Sequence, residues 1–177
     1  LYTLPVDCAR LSVQYPLSPS EIAGVVTRWR TIANTSSKDF GSICSDILYK
    51  GEEPLFGQIL YPSVRLDDLI LPDRTRQTLE QICCAAAEGY RILEEWNLRR
   101  LYPYGRAVTV LLYGPSGTGK TMTAHAIAEK LETALYQVDL SSVLDKYIGE
   151  TEKHLEQIFA FARKTRPVLF ISGHQWE

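Results

Sequence analysis

The chain has 177 residues, 45% hydrophobic and 23% charged, with 19 Lys and Arg against 21 Asp and Glu and a net charge of -2. This composition excludes disordered, collagenous and coiled-coil classes, and the near-balance of charge, without long like-charged runs, excludes the broad basic footprint of a nucleic-acid binder. Apolar runs such as residues 108–113 are far shorter than the roughly 20 residues that cross a bilayer, and the opening residues do not read as a signal peptide. Cys8, Cys44, Cys83 and Cys84 show no C-x-x-C pairing and read as reduced, buried thiols of a cytoplasmic protein.

In chain order, Ser18-Pro19-Ser20-Glu21 opens the apolar-periodic run Ile22, Val25, Val26, Trp29 and Ile32, which predicts a helix with Ser18 or Ser20 as N-cap. After the polar residues 34–39, the spacing of Phe40, Ile43, Cys44, Ile47 and Leu48 predicts a second short helix. Residues 51–62, rich in Gly and Pro around a strand-like patch, read as a linker. Pro72-Asp73 then precede a long helical pattern with Leu79, Ile82, Cys83, Ala86, Tyr90 and Leu93 on one face, ending near Trp96. Residues 99–106 form a loop, and the continuous apolar run 108–113 reads as a strand buried on both faces. A helix through Leu131, a strand over 134–140, a helix over 151–164 and a strand over 168–171 complete the pattern. Strands alternating with helices predict an α/β fold with parallel pairing through right-handed crossovers.

Between the 108–113 run and the next helix stand Gly114, Pro115, Ser116, Gly117, Thr118, Gly119, Lys120 and Thr121, which match G-x-x-x-x-G-K-[ST] in the strand-to-helix context that the motif requires. Gly117 and Gly119 permit backbone conformations that a Cβ would obstruct, so that successive N–H groups can wrap phosphates. The following helix adds the positive end of its dipole. Lys120 supplies a mobile point charge for the β- and γ-phosphates, and the Thr121 hydroxyl suits Mg²⁺.

Three segments resemble the AAA family (ATPases associated with diverse activities), in particular its bacterial central-domain type with a degenerate ATPase-like half in front. They are residues 66–72 (LDDLILP), 111–122 (LLYGPSGTGKTM, ending at Met122) and 138–153 (VDLSSVLDKYIGETEK). The resemblance implies a three-layer α/β/α P-loop NTPase that binds ATP and Mg²⁺. It places residues 67–70 near the adenine. It also makes Tyr147, Ile148 and Gly149 a pore loop that grips an unfolded polypeptide in the channel of a hexameric ring, with packing of Tyr147 and Ile148 beneath the next helix as the alternative. An aromatic side chain offers large, sequence-tolerant apolar contact at low entropic cost. By the same resemblance, residues 1–60 are a helical region and linker, the lid of a preceding ATPase-like half; 61–171 are the N-terminal part of the ATPase domain; and 172–177 do not match.

The pattern breaks at Ser172 and Gly173, which stand where the family carries an Asp-Glu pair that serves Mg²⁺ and polarises the attacking water. Two accounts are open: a substitution that spares binding and abolishes hydrolysis, or a truncation, by frameshift for example, which the abrupt loss of resemblance after Ile171 favours. Function then reads as ATP hydrolysis that drives polypeptide remodelling, with a hydrolysis-dead nucleotide binder or defective ring subunit as the alternative. A sheet stopped after its third sequential strand would leave the P-loop strand without its central partners, its edge and apolar faces uncovered. His125 and His154 read as helix-surface residues, and no cluster suggests a metal site.

Overall fold

The computed structural model describes residues 15–32, 40–49, 54, 56–95, 107–143 and 150–173. In chain order these form α1 (Pro19–Ile32), α2 (Phe40–Leu48), β1 (Gly57–Leu60), a 3-10 turn (Leu66–Asp68), α3 (Asp73–Glu95), α4 (Lys120–Lys130), β2 (Leu135–Asp139), α5 (Leu140–Val143), α6 (Glu150–Thr165) and β3 (Val168–Ser172). They fall into two compact units: one holds the described residues of 1–61 and 133–177, the other Pro62–Glu132.

In the first unit, α1 starts at a reciprocal cap. The Glu21 carboxylate accepts from the Ser18 N–H at 2.7 Å and the Ser18 hydroxyl at 2.6 Å, while Ser18 Oγ accepts from the Glu21 N–H at 3.4 Å. The Ser18 hydroxyl holds the Glu21 carboxyl below its usual range. Helices α1 and α2 pack through Val25, Ile43, Cys44 and Leu48, all buried, and the Arg28–Asp46 ion pair at 3.7 Å ties their outer sides.

The sheet has the order β1-β2-β3, with β2 in the centre. Strands β2 and β3 run parallel, Leu135 opposite Val168 and Asp139 opposite Ser172, with α5 and α6 in the connection between them. Leu135 and Tyr136, which point to opposite faces, are both 0% exposed, so β2 is buried on both sides as a parallel strand requires. Tyr136 meets Phe161 of α6 edge to face at 4.9 Å, and Val138, Val143 and Ile158 complete that core. An incomplete three-layer α/β fold with a parallel sheet was the expectation, and this small, mostly parallel sheet with crossover helices is consistent with it.

Strand β1 lies inside the stretch read as linker. It pairs antiparallel with β2, Gly57 opposite Val138 and Leu60 opposite Leu135. A Cβ at Gly57 would overlap the Gln137 carbonyl oxygen and crowd the Tyr136 ring, so this glycine marks a close approach of strands, not only a turn.

At the closing edge of this unit Tyr49 is buried and its hydroxyl donates to the Thr165 carbonyl at 3.3 Å. Burial pushes the phenol above its ordinary range. The neutral form is favoured in the folded state, so the associated stability is complete below the unfolded phenol value, about 10, and is lost as pH rises beyond it. Urea unfolding at about pH 8 and pH 11 is expected to show lower stability at the higher pH, with a smaller drop for Tyr49→Phe.

In the second unit, α3 buries Leu79 and Cys83. Ala86, expected on the same face, is exposed, so the inward stripe is narrower than the periodicity implied; Trp96, the expected helix end, lies outside the described residues. Cys83 and Cys84 face different directions, as neighbours about 100° apart around a helix do: Cys83 is buried and its thiol pushed up by burial, whereas Cys84 is exposed, against the expectation of buried thiols throughout. Helix α4 packs against the 3-10 turn and α3, and buries Thr123, Ala124, Ala126, Ile127 and Ala128.

The largest departure concerns residues 108–113. Expected as a strand buried on both faces, they form no strand, and Val108 is 45%, Leu111 83% and Tyr113 88% exposed. A strand exists only as a member of a ladder, and among the described residues none pairs with this run; the run is apolar enough for a sheet interior but lacks neighbours.

Candidate nucleotide-binding site

The loop 114–119 leads straight into α4. Gly117 and Gly119 have φ of 79° and 86°, while Thr118 between them is not left-handed. A Cβ at either glycine would meet no atom within 4 Å, so the backbone angle, not crowding, demands glycine. This alternation turns successive N–H groups to one side and makes a concave anion nest. Helix α4 then adds its first-turn N–H groups, which no intrahelical carbonyl can reach; its first such bond runs from Thr123 N–H to the Gly119 carbonyl at 2.8 Å.

Lys120 folds back over this loop. Its Nζ donates to the Gly114 carbonyl at 2.8 Å and the Pro115 carbonyl at 2.7 Å, and the Thr118 hydroxyl donates to the Pro115 carbonyl at 2.9 Å. The ammonium thus sits at the mouth of the nest on a flexible stem, where an anionic ligand can exchange for the carbonyls. Thr121 and Met122 are exposed on the first turn of α4, and Ser116 is exposed on the loop. Together these residues fit a triphosphate with its Mg²⁺: a nest of N–H donors, one mobile cation and the exposed Thr121 hydroxyl, all within a single loop and helix turn.

Beside α4 lies the turn expected near the adenine. Leu66 and Leu69 are buried, whereas Asp67, Asp68 and Ile70 are exposed, and the Asp68 carboxylate accepts from the Arg65 N–H at 2.8 Å.

The remaining sequence-predicted residues lie in the other unit or outside the description. Ser172 ends β3 and its hydroxyl donates to the Val138 carbonyl at 3.2 Å; Gly173 is exposed. Neither can supply a carboxylate. Asp139, the register partner of Ser172, is the one carboxylate that ends a strand among the described residues, and its Oδ1 accepts from the Ser141 N–H at 3.0 Å at the start of α5. Tyr147, Ile148 and Gly149 lie outside the described residues. Among the described residues no group of His, Cys, Asp and Glu could hold a metal ion, and no helix is long and apolar enough to cross a membrane.

His154 departs from its expected surface position. Its ring is only 19% exposed, lies 4.1 Å from the Phe56 ring, contacts the Val143 carbonyl through Nδ1 at 3.2 Å and has Glu150 at 3.9 Å. No sequence signal marks this role, because a lone histidine on an amphipathic helix reads alike on either face.

The model of the ATPase family associated with various cellular activities (AAA) matches residues 110–172, which include the whole phosphate loop, α4 and the β2-to-β3 crossover. Over these residues the chain is similar to the AAA family. Cell division protein C of Sulfolobus acidocaldarius is 34% identical over 108 residues, 59% of this chain and 29% of that protein. The 26S proteasome regulatory subunit 10B of Dictyostelium discoideum is 49% identical over 63 residues, 35% of this chain and 16% of its own length. Spastin of Gallus gallus is 28% identical over 157 residues, 88% of this chain and 23% of its own. The chain spans less than a third of each of these relatives. Its matched segment carries the P-loop NTPase signature on which the α/β assignment rests.

Proposed function

We propose that this chain binds Mg·ATP through Gly114, Pro115, Ser116, Gly117, Thr118, Gly119, Lys120, Thr121 and Met122, as part of a cytoplasmic ATPase that remodels or threads polypeptides. The observation that carries the reading is the phosphate loop itself: left-handed Gly117 and Gly119, with Lys120 folded over the nest they form. Lys120 would hold the β- and γ-phosphates and Thr121 the Mg²⁺, while the bound ion would supply charge neutralisation between those phosphates. On this reading residues 61–171 are the front of the ATPase domain and 1–60 a helical region before it. Tyr147, Ile148 and Gly149 would grip the polypeptide in a hexameric ring.

A second reading, nucleotide binding without turnover, is favoured by one observation: Ser172 and Gly173 offer a hydroxyl and no side chain where hydrolysis needs carboxylates. Titration calorimetry of the chain with ATP, with and without Mg²⁺, tests binding, and a phosphate-release assay separates the two readings. Thr121→Ala, a change at an exposed position, should weaken Mg·ATP about tenfold and leave Mg²⁺-free ATP nearly unaffected. Equal binding of both forms by wild type and variant would remove the Mg²⁺ role.

A further inference from the structure

Two side chains that tie the phosphate loop together meet on one atom. The Pro115 carbonyl oxygen accepts from the Thr118 hydroxyl at 2.9 Å and from Lys120 Nζ at 2.7 Å, while the Gly114 carbonyl accepts from the same Nζ at 2.8 Å. A carbonyl oxygen has two lone pairs and can serve both donors at once. The Thr118 hydroxyl reaches it along the Gly114 backbone: a Cβ at Gly114 would lie 3.3 Å from Thr118 Oγ1, so the missing side chain leaves the hydroxyl its place. The bond from Thr118 to Pro115 encloses Gly117, one of the two left-handed residues that turn the N–H groups inward.

A ligand acts differently on the two donors. Lys120 carries a charge on a flexible stem, and an anion draws it away from neutral carbonyls. Thr118 is neutral and short, so the same anion exerts no comparable pull on it. When the ammonium leaves, both lysine bonds are lost together, whereas the Pro115 carbonyl still has its bond from Thr118. We propose that Thr118 is a positioning residue for the phosphates: its hydroxyl keeps the Pro115 carbonyl while Lys120 turns to the ligand, so the nest holds its shape as the cation is handed over. A nest fastened by Lys120 alone would come loose at the moment the phosphate arrives, and the cost of ordering the loop would then weaken binding. The inference rests on the phosphate-loop reading above, but it concerns the loop's own fastening and gives the Thr118 side chain no contact with the ligand.

Titration calorimetry on the whole chain compares wild type with changes at position 118, which is exposed and not left-handed. Thr118→Val keeps the shape and removes the hydroxyl, and it should weaken Mg·ATP about fivefold, the size of one hydrogen bond that orders the loop. Mg·tripolyphosphate, which has the phosphates and no base, should weaken by the same factor, because the tie acts on the nest. Thr118→Ser, which keeps the hydroxyl, should bring the affinity back to within about twofold of wild type. The urea midpoint of the ligand-free chain should not move with either change, since Lys120 still spans the loop there and the position is exposed. Thr118→Ala decides the matter if circular dichroism shows that Thr118→Val is unfolded, and a loss shown by valine but not by alanine is crowding and overturns the inference. Unchanged affinity in Thr118→Val, a loss that serine shares in full, or a loss confined to ATP overturns it too. Each of these leaves the phosphate-loop reading standing, whereas a wild-type chain that binds neither ligand overturns both.

Discussion

Lys120→Ala is expected to abolish Mg·ATP binding at concentrations that would saturate the wild-type chain on the proposed reading. Among the described residues the Lys120 ammonium is the one cation that folds over the phosphate loop, and its present partners, the Gly114 and Pro115 carbonyls, are neutral acceptors that a polyanion outcompetes. Contacts between charged groups contribute about 1.5–3 kcal/mol each, and on the proposed reading Lys120 serves two phosphates, so a loss of a hundredfold or more in affinity is the expected size. The cost to the fold is small, because the two carbonyls released lie on a surface loop where water replaces the lysine. Calorimetry of the variant, with circular dichroism to show that the helices persist, gives the result; binding within about threefold of wild type would sink the phosphate-loop assignment.

Tyr136→Ala and Leu111→Ser should differ by several kcal/mol in opposite order to what the sequence pattern suggests. Both residues stand in apolar runs followed by a helix, and the 108–113 run is the longer. Yet Tyr136 is 0% exposed, packed edge to face on Phe161 in the central strand, whereas Leu111 is 83% exposed. Truncating the buried aromatic side chain costs about 3–5 kcal/mol, a large part of the roughly 5–15 kcal/mol that stabilises a domain. Leu111→Ser at its exposed position should fall within about 0.5 kcal/mol of neutral. Urea unfolding followed by far-UV circular dichroism measures both. A loss of several kcal/mol for Leu111→Ser would restore the buried strand that the sequence predicts and contradict the structure.

That contrast also shows where sequence reading succeeds and where it stops. The helices were legible because their information is local. Ser18 and Glu21 cap α1, the acidic Glu150 and Glu152 open α6, and Arg163 and Lys164 close it, in keeping with the helix dipole. The phosphate loop was legible for the same reason, since residues 114–121 carry their geometry in their own backbone angles. Pairing is not local. The 108–113 run states how apolar a sheet interior must be, but not which strand lies beside it. Residues 57–60 form a strand only because Gly57 lets the Gln137 backbone approach, a fact held in the partner and not in the segment. Arg76 belongs to no motif, yet its guanidinium donates to the Leu69 and Leu66 carbonyls, seven and ten residues away.

The division of the chain has a consequence for the order in which it assembles. The first unit is discontinuous: the chain leaves it after Tyr61 and returns at Thr133. Joining β1 to β2 therefore closes a loop that contains all of residues 62–132, whereas joining β2 to β3 closes only the connection through α5 and α6. Loop closure grows costlier by about 0.6 kcal/mol with each doubling of length, so chain entropy favours early formation of the parallel β2–β3 pair and late arrival of β1. Structure gained first within 62–132 shortens the effective span of that larger loop. The phosphate-loop segment is thus also a tether, and its own compaction draws β1 towards the strand it completes.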